Sequence, residues 1–255
     1  MARTALVTGA SSGIGREIAR ELDKRGFRVI LAARREDRLR ELAEELSDSR
    51  VIACDLSRRE ECERLYEETK AERLTVLVNN AGFGKLGRFE EIPLDDELAM
   101  IDTNVKALHI LTKLFLQDFI REDRGYILNV ASSAGLMPGG PLMATYYATK
   151  AYVTSLTGAI YEELKQADSS VSISALCPGP VDTEFNSVAN AQFGVKSISA
   201  EYCAKRAVEG LFARQLIITP ERGMGLAAKA AQLAPRRISL AITGQLQSGK
   251  QKDKE

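Results

Sequence analysis

A glycine-rich turn close to the start, Thr8-Gly9-Ala10-Ser11-Ser12-Gly13-Ile14-Gly15, constrains this chain more than any other stretch. It follows an apolar run, Thr4-Ala5-Leu6-Val7, that reads as a short buried strand. It opens a pattern in which Ile14, Ile18, Ala19 and Leu22 recur at helical spacing until Gly26 stops them. At such a strand-to-helix turn a missing Cβ lets the backbone approach a pyrophosphate. The free N–H groups and positive dipole end of the helix favour the negative charge. A bound dinucleotide is what this arrangement implies, with Gly9, Ser11, Ser12, Gly13, Ile14 and Gly15 as its contacts. The spacing is TGxxxGxG, distinct from the GxGxxG of the common dinucleotide fingerprint.

Bulk properties narrow the field. A chain of 255 residues can form one large α/β domain with a substantial core. Lys plus Arg and Asp plus Glu both number 35, so no global field draws the chain to nucleic acid or membrane, and a small-molecule partner is expected. Cys54, Cys62, Cys177 and Cys203 show no CxxC spacing and read as small buried hydrophobes rather than metal ligands. With no charged start followed by a long apolar core, a reducing cytoplasm is the expected setting. His109 is the only histidine, which removes Ser-His-Asp hydrolysis and most His-rich metal sites.

Short β-rich runs at 3 to 8, 28 to 32, 50 to 54, 75 to 78, 125 to 131, 171 to 177 and 215 to 218 alternate with helical periodicity. The helical segments are 36 to 47, 58 to 71, 95 to 120, 147 to 166 and 200 to 213. Right-handed crossovers then give a single doubly wound Rossmann-type α/β domain, a parallel seven-stranded sheet with helices on both faces and ligands at the strands' C-terminal edge.

In Tyr146-Tyr147-Ala148-Thr149-Lys150, Tyr146 and Lys150 are four apart and share one helix face. A phenol titrating near ~10 is a poor proton shuttle at neutral pH. An ammonium a few ångströms away lowers that value, by ~1–3 units, and suits Tyr146 to act as acid or base. Tyr147 has Ala151 in the corresponding place and no cation. The strand end Asn129-Val130-Ala131-Ser132-Ser133 supplies a hydroxyl, from Ser132 or its neighbour, to hydrogen-bond a carbonyl oxygen as charge develops on it.

Four motifs in order carry a resemblance to the short-chain dehydrogenase/reductases over residues 3 to 219. TGASSGIG at 8 to 15 is similar to the family's cofactor loop, Asn79-Asn80-Ala81-Gly82 to its NNAG segment, Tyr146 to Lys150 to its YxxxK pair, and Pro178-Gly179-Pro180-Val181-Asp182-Thr183 to its PG segment. The resemblance implies a catalytic tetrad of Asn104, Ser132, Tyr146 and Lys150, with Asn104 helping to hold a water in a proton relay and Lys150 also bonding the nicotinamide ribose. Counting back thirteen residues from the tyrosine, as the family does, selects Ser133; the strand-end pattern selects Ser132. Gly139-Gly140 offers a place for the extra residue, so Ser132 is preferred and Ser133 kept as the alternative. Asp55 and Leu56 resemble the adenine-contacting pair. Asn80, Ala81, Gly82, Pro178, Gly179, Val181 and Thr183 complete the implied cofactor pocket.

Val29-Ile30-Leu31-Ala32-Ala33 runs into Arg34-Arg35 with no acid to accept from a ribose 2′-hydroxyl. A guanidinium there suits a 2′-phosphate, so NADP(H) is expected, read by Arg34, and carbonyl reduction to an alcohol with it. An NAD-dependent alcohol dehydrogenase working oxidatively and a non-catalytic nucleotide-binding regulator are the alternatives. Phe185, Val188, Phe193, Val195 and Ile198 in a substrate loop at 185 to 200, with Leu136, Met137, Leu142 and Met143, suggest a hydrophobic substrate. Residues 1 to 220 form the expected catalytic domain. The extension 221 to 255 carries Leu226, Ala230, Leu233, Ile238, Ile242 and Leu246 in an amphipathic pattern broken by Pro235. It is expected to pack on the same domain or a neighbouring subunit, with peripheral membrane contact as a further reading and a disordered tail at 247 to 255. The relatives imply a homodimer or homotetramer joined through 95 to 120 and 147 to 166.

Overall fold

The structure is a computed structural model that describes residues 3–185, 197–221, 223, 225, 230 and 233–248. In chain order the elements are β1 (Arg3–Thr8), α1 (Gly13–Asp23), β2 (Phe27–Ala33), α2 (Glu36–Glu45), β3 (Ser49–Ala53), α3 (Arg59–Thr69) and β4 (Leu74–Asn79). Then come α4 (Leu94–Ile101), α5 (Leu108–Arg121), β5 (Tyr126–Val130), α6 (Ala144–Gln166), β6 (Ser172–Leu176), β7 (Val181–Asp182) and β8 (Ile198–Ser199). The last are α7 (Ala200–Phe212), β9 (Ile217–Ile218) and α8 (Arg236–Ser248). Seven strands form one sheet in the order β3-β2-β1-β4-β5-β6-β9, every pair parallel.

Strand side chains alternate between faces, and here both faces are apolar because both are covered. Ala5, Val7, Val29, Leu31, Val76 and Val78 pack in one layer with Ile18 and Leu22 of α1 and Ala204, Val208 and Leu211 of α7. Leu6, Ile30, Leu77, Ile127 and Ile173 pack in the other with Leu65 of α3, Leu111 and Phe115 of α5 and Leu164 of α6. Gly26, at φ +75°, turns the chain from α1 into β2, its N–H donating to the Asp23 carbonyl. No L side chain takes that backbone without strain.

Three departures from the sequence expectation bear on the site. The segment 95 to 120 is not one α-helix: a π-helical turn, Asp102–Ala107, separates α4 from α5 and places Asn104 within it. Two-residue strands β7 and β8 pair in parallel, Val181 with Ile198 and Asp182 with Ser199, an arrangement too short for any periodic signal. Helix α8 continues to Ser248 and takes the first two residues of the expected disordered tail. Val188, Phe193, Val195, Leu226 and residues 249 to 255 lie outside the described residues.

Candidate active site and coenzyme cleft

The C-terminal ends of β1, β2, β4 and β5 meet at one sheet edge, where the glycine loop is cut to the backbone. Gly9 and Gly13 have φ of +66° and +56°. A Cβ at Gly15 would stand 2.5 Å from the Gly9 carbonyl oxygen, and one at Gly13 3.1 Å from Thr183 Cγ2. Thr8 ties this loop to the end of β4: its Oγ1 donates to Val78 O and accepts from Asn80 N at 3.0 Å and Ala81 N at 3.1 Å. Asn80 returns the tie through Nδ2, donating to Thr8 O and Gly9 O. Ser12 stands at the N-cap of α1 yet caps nothing with its side chain. Its hydroxyl instead accepts from Arg35 Nη2 at 2.8 Å, which leaves the first-turn N–H groups of α1 for an anion. Ser11 is buried and its Oγ also accepts from Arg35; Ile14 packs on the core. A glycine cradle at a helix start with guanidinium groups beside it fits a dinucleotide phosphate.

Arg34 is exposed and forms no ion pair among the described residues, whereas Arg35 spans Ser11, Ser12 and Glu184. Asp55 is partly committed, its Oδ1 accepting from Ser57 N and Oγ, and Leu56 is buried in the layer that holds Leu65, Leu111 and Phe115. Pro178 O accepts from Ser133 N at 2.7 Å and Ser132 Oγ at 3.5 Å, Gly179 N donates to Glu221 Oε1 at 2.8 Å, and Val181 is buried in its short ribbon.

Tyr146 and Lys150 lie one turn apart on α6, both buried, with Nζ 5.8 Å from the phenol ring centroid. Lys150 Nζ donates to Val130 O at 2.8 Å. Of the two serines, Ser132 is the one whose hydroxyl bears on the phenol; its Oγ also accepts from Ala134 N at 3.1 Å and caps the 3₁₀ turn Ser133–Leu136, which Ser133 opens. Asn104 joins the group from the π turn. Its Oδ1 accepts from Phe83 N at 3.0 Å, and its Nδ2 donates to Phe83 O and to Thr149 Oγ1. A Cβ at Gly82 would stand 2.8 Å from Asn104 Oδ1 and 3.5 Å from Lys150 Nζ, so only glycine leaves both groups open to the cleft.

The electrostatics correct one expectation. Burial pushes the Tyr146 phenol up to about 12, opposed only in part by the Ser132 hydrogen bond, and pushes the Lys150 ammonium down to about 8. The lysine does not bring the phenol below its ordinary value, because its ammonium is directed to Val130 O and both groups have lost water.

Beside the phenol, Met100, Ala134 and Met143 form a buried apolar cluster with Tyr146, flanked by Phe83, Leu86, Tyr147 and Phe185. The Phe185 ring lies 5.5 Å from that of Tyr146. Leu136 belongs instead to the core with Val153 and Ala175. Leu142 is held at φ +65°, its carbonyl accepting from Gly87 N. Helix α8 rests on the stretch between Ser132 and Tyr146: Arg236 Nη2 donates to Pro138 O, and Leu240 Cδ2 lies 3.0 Å from where a Gly139 Cβ would be. Phe83, Arg38 and Glu184 were not singled out by the sequence; each reaches the site through a contact between distant segments.

A family model for the short chain dehydrogenases matches residues 3–194, and the chain belongs to the short-chain dehydrogenase/reductase family. It is an oxidoreductase fold of the NAD(P)-binding class. The 3-oxoacyl-[acyl-carrier-protein] reductase FabG of Rickettsia prowazekii is 34% identical over 189 residues, 74% of this chain and 76% of that protein. A short-chain dehydrogenase from Sphingobium yanoikuyae solved in complex with NADPH superimposes with a TM-score of 0.81 at 27% identity, covering 90% of this chain and 93% of that one. A short-chain dehydrogenase/reductase from Burkholderia phymatum in complex with NAD gives 0.82 at 25% identity, over 89% and 92%. Among the described residues no helix is long and apolar enough to cross a membrane.

Proposed function

We propose that this protein reduces a hydrophobic ketone or aldehyde to the alcohol with NADPH. The observation that carries the reading is the buried Tyr146 phenol, hydrogen-bonded to Ser132 with the Lys150 ammonium at its flank. Nicotinamide, when bound, supplies the hydride. The chain's own residues manage the oxygen and the proton. Ser132 Oγ donates to the carbonyl oxygen as charge gathers there, and Tyr146 Oη gives up its proton to that oxygen. A phenol held near 12 is protonated at neutral pH, which is the form a reduction consumes. Lys150, cationic below about 8, stabilises the phenolate left behind. Asn104 acts as a positioning residue that fixes Phe83 and Thr149, and the second lone pair of its Oδ1 is the place for a relay water.

The exposed guanidinium of Arg34, with Arg35 across Ser11 and Ser12, supports NADP(H) over NAD(H). Apolar Met143, Phe83 and Phe185 around the phenol, together with similarity to a 3-oxoacyl reductase, support an acyl-type carbonyl substrate. Residues 1 to 220 carry the chemistry, and the extension 221 to 255 roofs the 138 to 141 stretch through α8. Leu94, Leu98 and Ile101, exposed at one-turn spacing on α4, and Tyr152 on α6 support a homodimer or homotetramer. Four unpaired buried cysteines suit a reducing cytoplasm. The test is stopped-flow absorbance with 3-oxoacyl thioesters, aldehydes, ketones and steroids at saturating NADPH and, separately, NADH. Carbonyl-dependent NADPH oxidation is expected; a clear preference for NADH overturns the coenzyme assignment, and silence across the panel overturns the reductase reading.

A further inference from the structure

Three consecutive residues, the last of the PG segment and the two that follow it, touch three separate parts of the cleft. Thr183 stands against the glycine loop, its Cγ2 3.1 Å from where a Gly13 Cβ would be. Phe185 lies on the Tyr146 ring, 5.5 Å between centroids. Between them the Glu184 carboxylate bridges two guanidiniums, accepting from Arg35 Nη1 at 2.9 Å through one oxygen and from Arg38 through the other. Arg35 meanwhile donates through Nε and Nη2 to the Ser11 and Ser12 hydroxyls. The edge of Arg35 that faces away from the serines is therefore the edge that Glu184 holds.

We infer that Glu184 is a resident counter-anion of the coenzyme's phosphate seat, displaced by a 2′-phosphate but not by a 2′-hydroxyl, and that its release is transmitted to Phe185 beside Tyr146. The inference rests on the NADP(H) reading given above. Carboxylate and phosphate are alternative acceptors for the same guanidinium N–H groups, and two anions on one seat repel. Glu184 is the one carboxylate that bridges Arg35 and Arg38, with Asp37 and Glu41 acting on Arg38 from its own helix, and with Arg34 alongside, a phosphate dianion offers these guanidiniums more charge than Glu184 does. An uncharged hydroxyl brings nothing to exchange for the two ion pairs. Because Glu184 and Phe185 are adjacent in the chain, movement of the first changes the seat of the second. Glu184 is in this sense a specificity-determining residue: it charges NADPH for entry while leaving NADH unaffected, and it links the choice of coenzyme to the substrate side of the phenol.

Calorimetric titration of full-length wild type and Glu184→Gln with NADPH, NADH, 2′,5′-ADP and 5′-AMP at low ionic strength tests the competition. Both ion pairs are solvent-exposed and individually weak, so E184Q is expected to tighten NADPH and 2′,5′-ADP about threefold to tenfold and to leave NADH and 5′-AMP within about twofold. An unchanged or weakened NADPH Kd in E184Q overturns the inference. The transmission is read with Phe185→Trp, a unique reporter in a chain that has no tryptophan. 2′,5′-ADP is expected to shift its emission and 5′-AMP to leave it in place, and the E184Q/F185W double variant is expected to lose the response. A response that survives in the double variant overturns the link. Wild type that binds NADPH no more tightly than NADH overturns the NADP(H) reading itself. Wild type that prefers NADPH by a ratio E184Q does not change leaves that reading standing and removes only the role of Glu184.

Discussion

Lys150 keeps an ammonium where burial disfavours it, with the Val130 carbonyl as its hydrogen-bond partner. Its pKa, pushed down from 10.5 to about 8, places its loss of charge within an accessible range. Reduction needs the cation, because the phenolate that forms on Tyr146 must be stabilised. The expected result is that kcat/KM for carbonyl reduction is level at lower pH and falls as pH rises through about 8, approaching tenfold per unit, in a profile recorded from pH 6 to 10. Folding stability runs the other way. Between about 8 and 10.5 the unfolded chain binds the lysine proton and the native chain does not, so stability rises with pH across that window. Lys150→Met, which fills similar volume without charge, is expected to abolish turnover yet raise Tm at pH 7 by roughly 2–4 °C, the shift that ~1 kcal/mol produces in chains of this size. Calorimetric scanning beside the activity assay checks both signs. Tyr146→Phe removes only the hydroxyl. It is expected to cost about 10²–10⁴-fold in turnover while the NADPH Kd stays within about twofold, measured by calorimetry.

At the scale of elements, the turn between β1 and α1 is the most exacting part of the cleft. Gly15→Ala would drive a Cβ to 2.5 Å from the Gly9 carbonyl oxygen and into the short Asn80 amide, neither of which can yield without opening the loop. Loss of coenzyme affinity by at least ~10-fold, with a folded circular dichroism spectrum, is the expected outcome, since the loop and not the core is deformed. This turn was legible in the sequence because glycines, a preceding apolar run and a following helical period are all local signals. The same holds for the parallel sheet and for the YxxxK pair, whose spacing alone puts both groups on one face of α6. The π turn around Asn104 was not legible. Apolar residues recur through 95 to 120 as in an unbroken helix, and the demand for the extra residue comes from the Phe83 backbone that the Asn104 amide satisfies. Nor could spacing give the direction of the Tyr146 shift: a nearby cation and burial act in opposite senses, and only the depth of the phenol decides between them. Ser132 against Ser133 depends on the same kind of fact, the direction in which a strand end releases its hydroxyl, which spacing does not give.

For the molecule as a whole, balanced charge hides an uneven surface. On α4, Glu97 and Met100 point inward, Met100 into the cluster around Tyr146, while Leu94 and Leu98 are 70% and 48% exposed one turn apart, with Ile101 continuing the row. Tyr152 of α6 stands exposed too, its hydroxyl hydrogen-bonded to His109 of α5 at 2.7 Å. Large apolar side chains repeated along one helix face are costly to leave in water, each worth ~1.5–3 kcal/mol when fully buried, and a second copy of the same face is the simplest cover in a chain whose relatives share this architecture. Leu98→Glu places a charge in the middle of that row, at a side chain 48% exposed. In the proposed oligomer it is expected to produce a species of 27.9 kDa by light scattering, and a Tm that no longer depends on protein concentration. Turnover is expected to fall with it, because α4 that is free on its outer face holds Met100 less firmly against the phenol. Wild type that already sediments as a monomer across the micromolar range would remove the oligomer. In that case L98E leaves turnover unchanged, and the exposed row on α4 is surface alone.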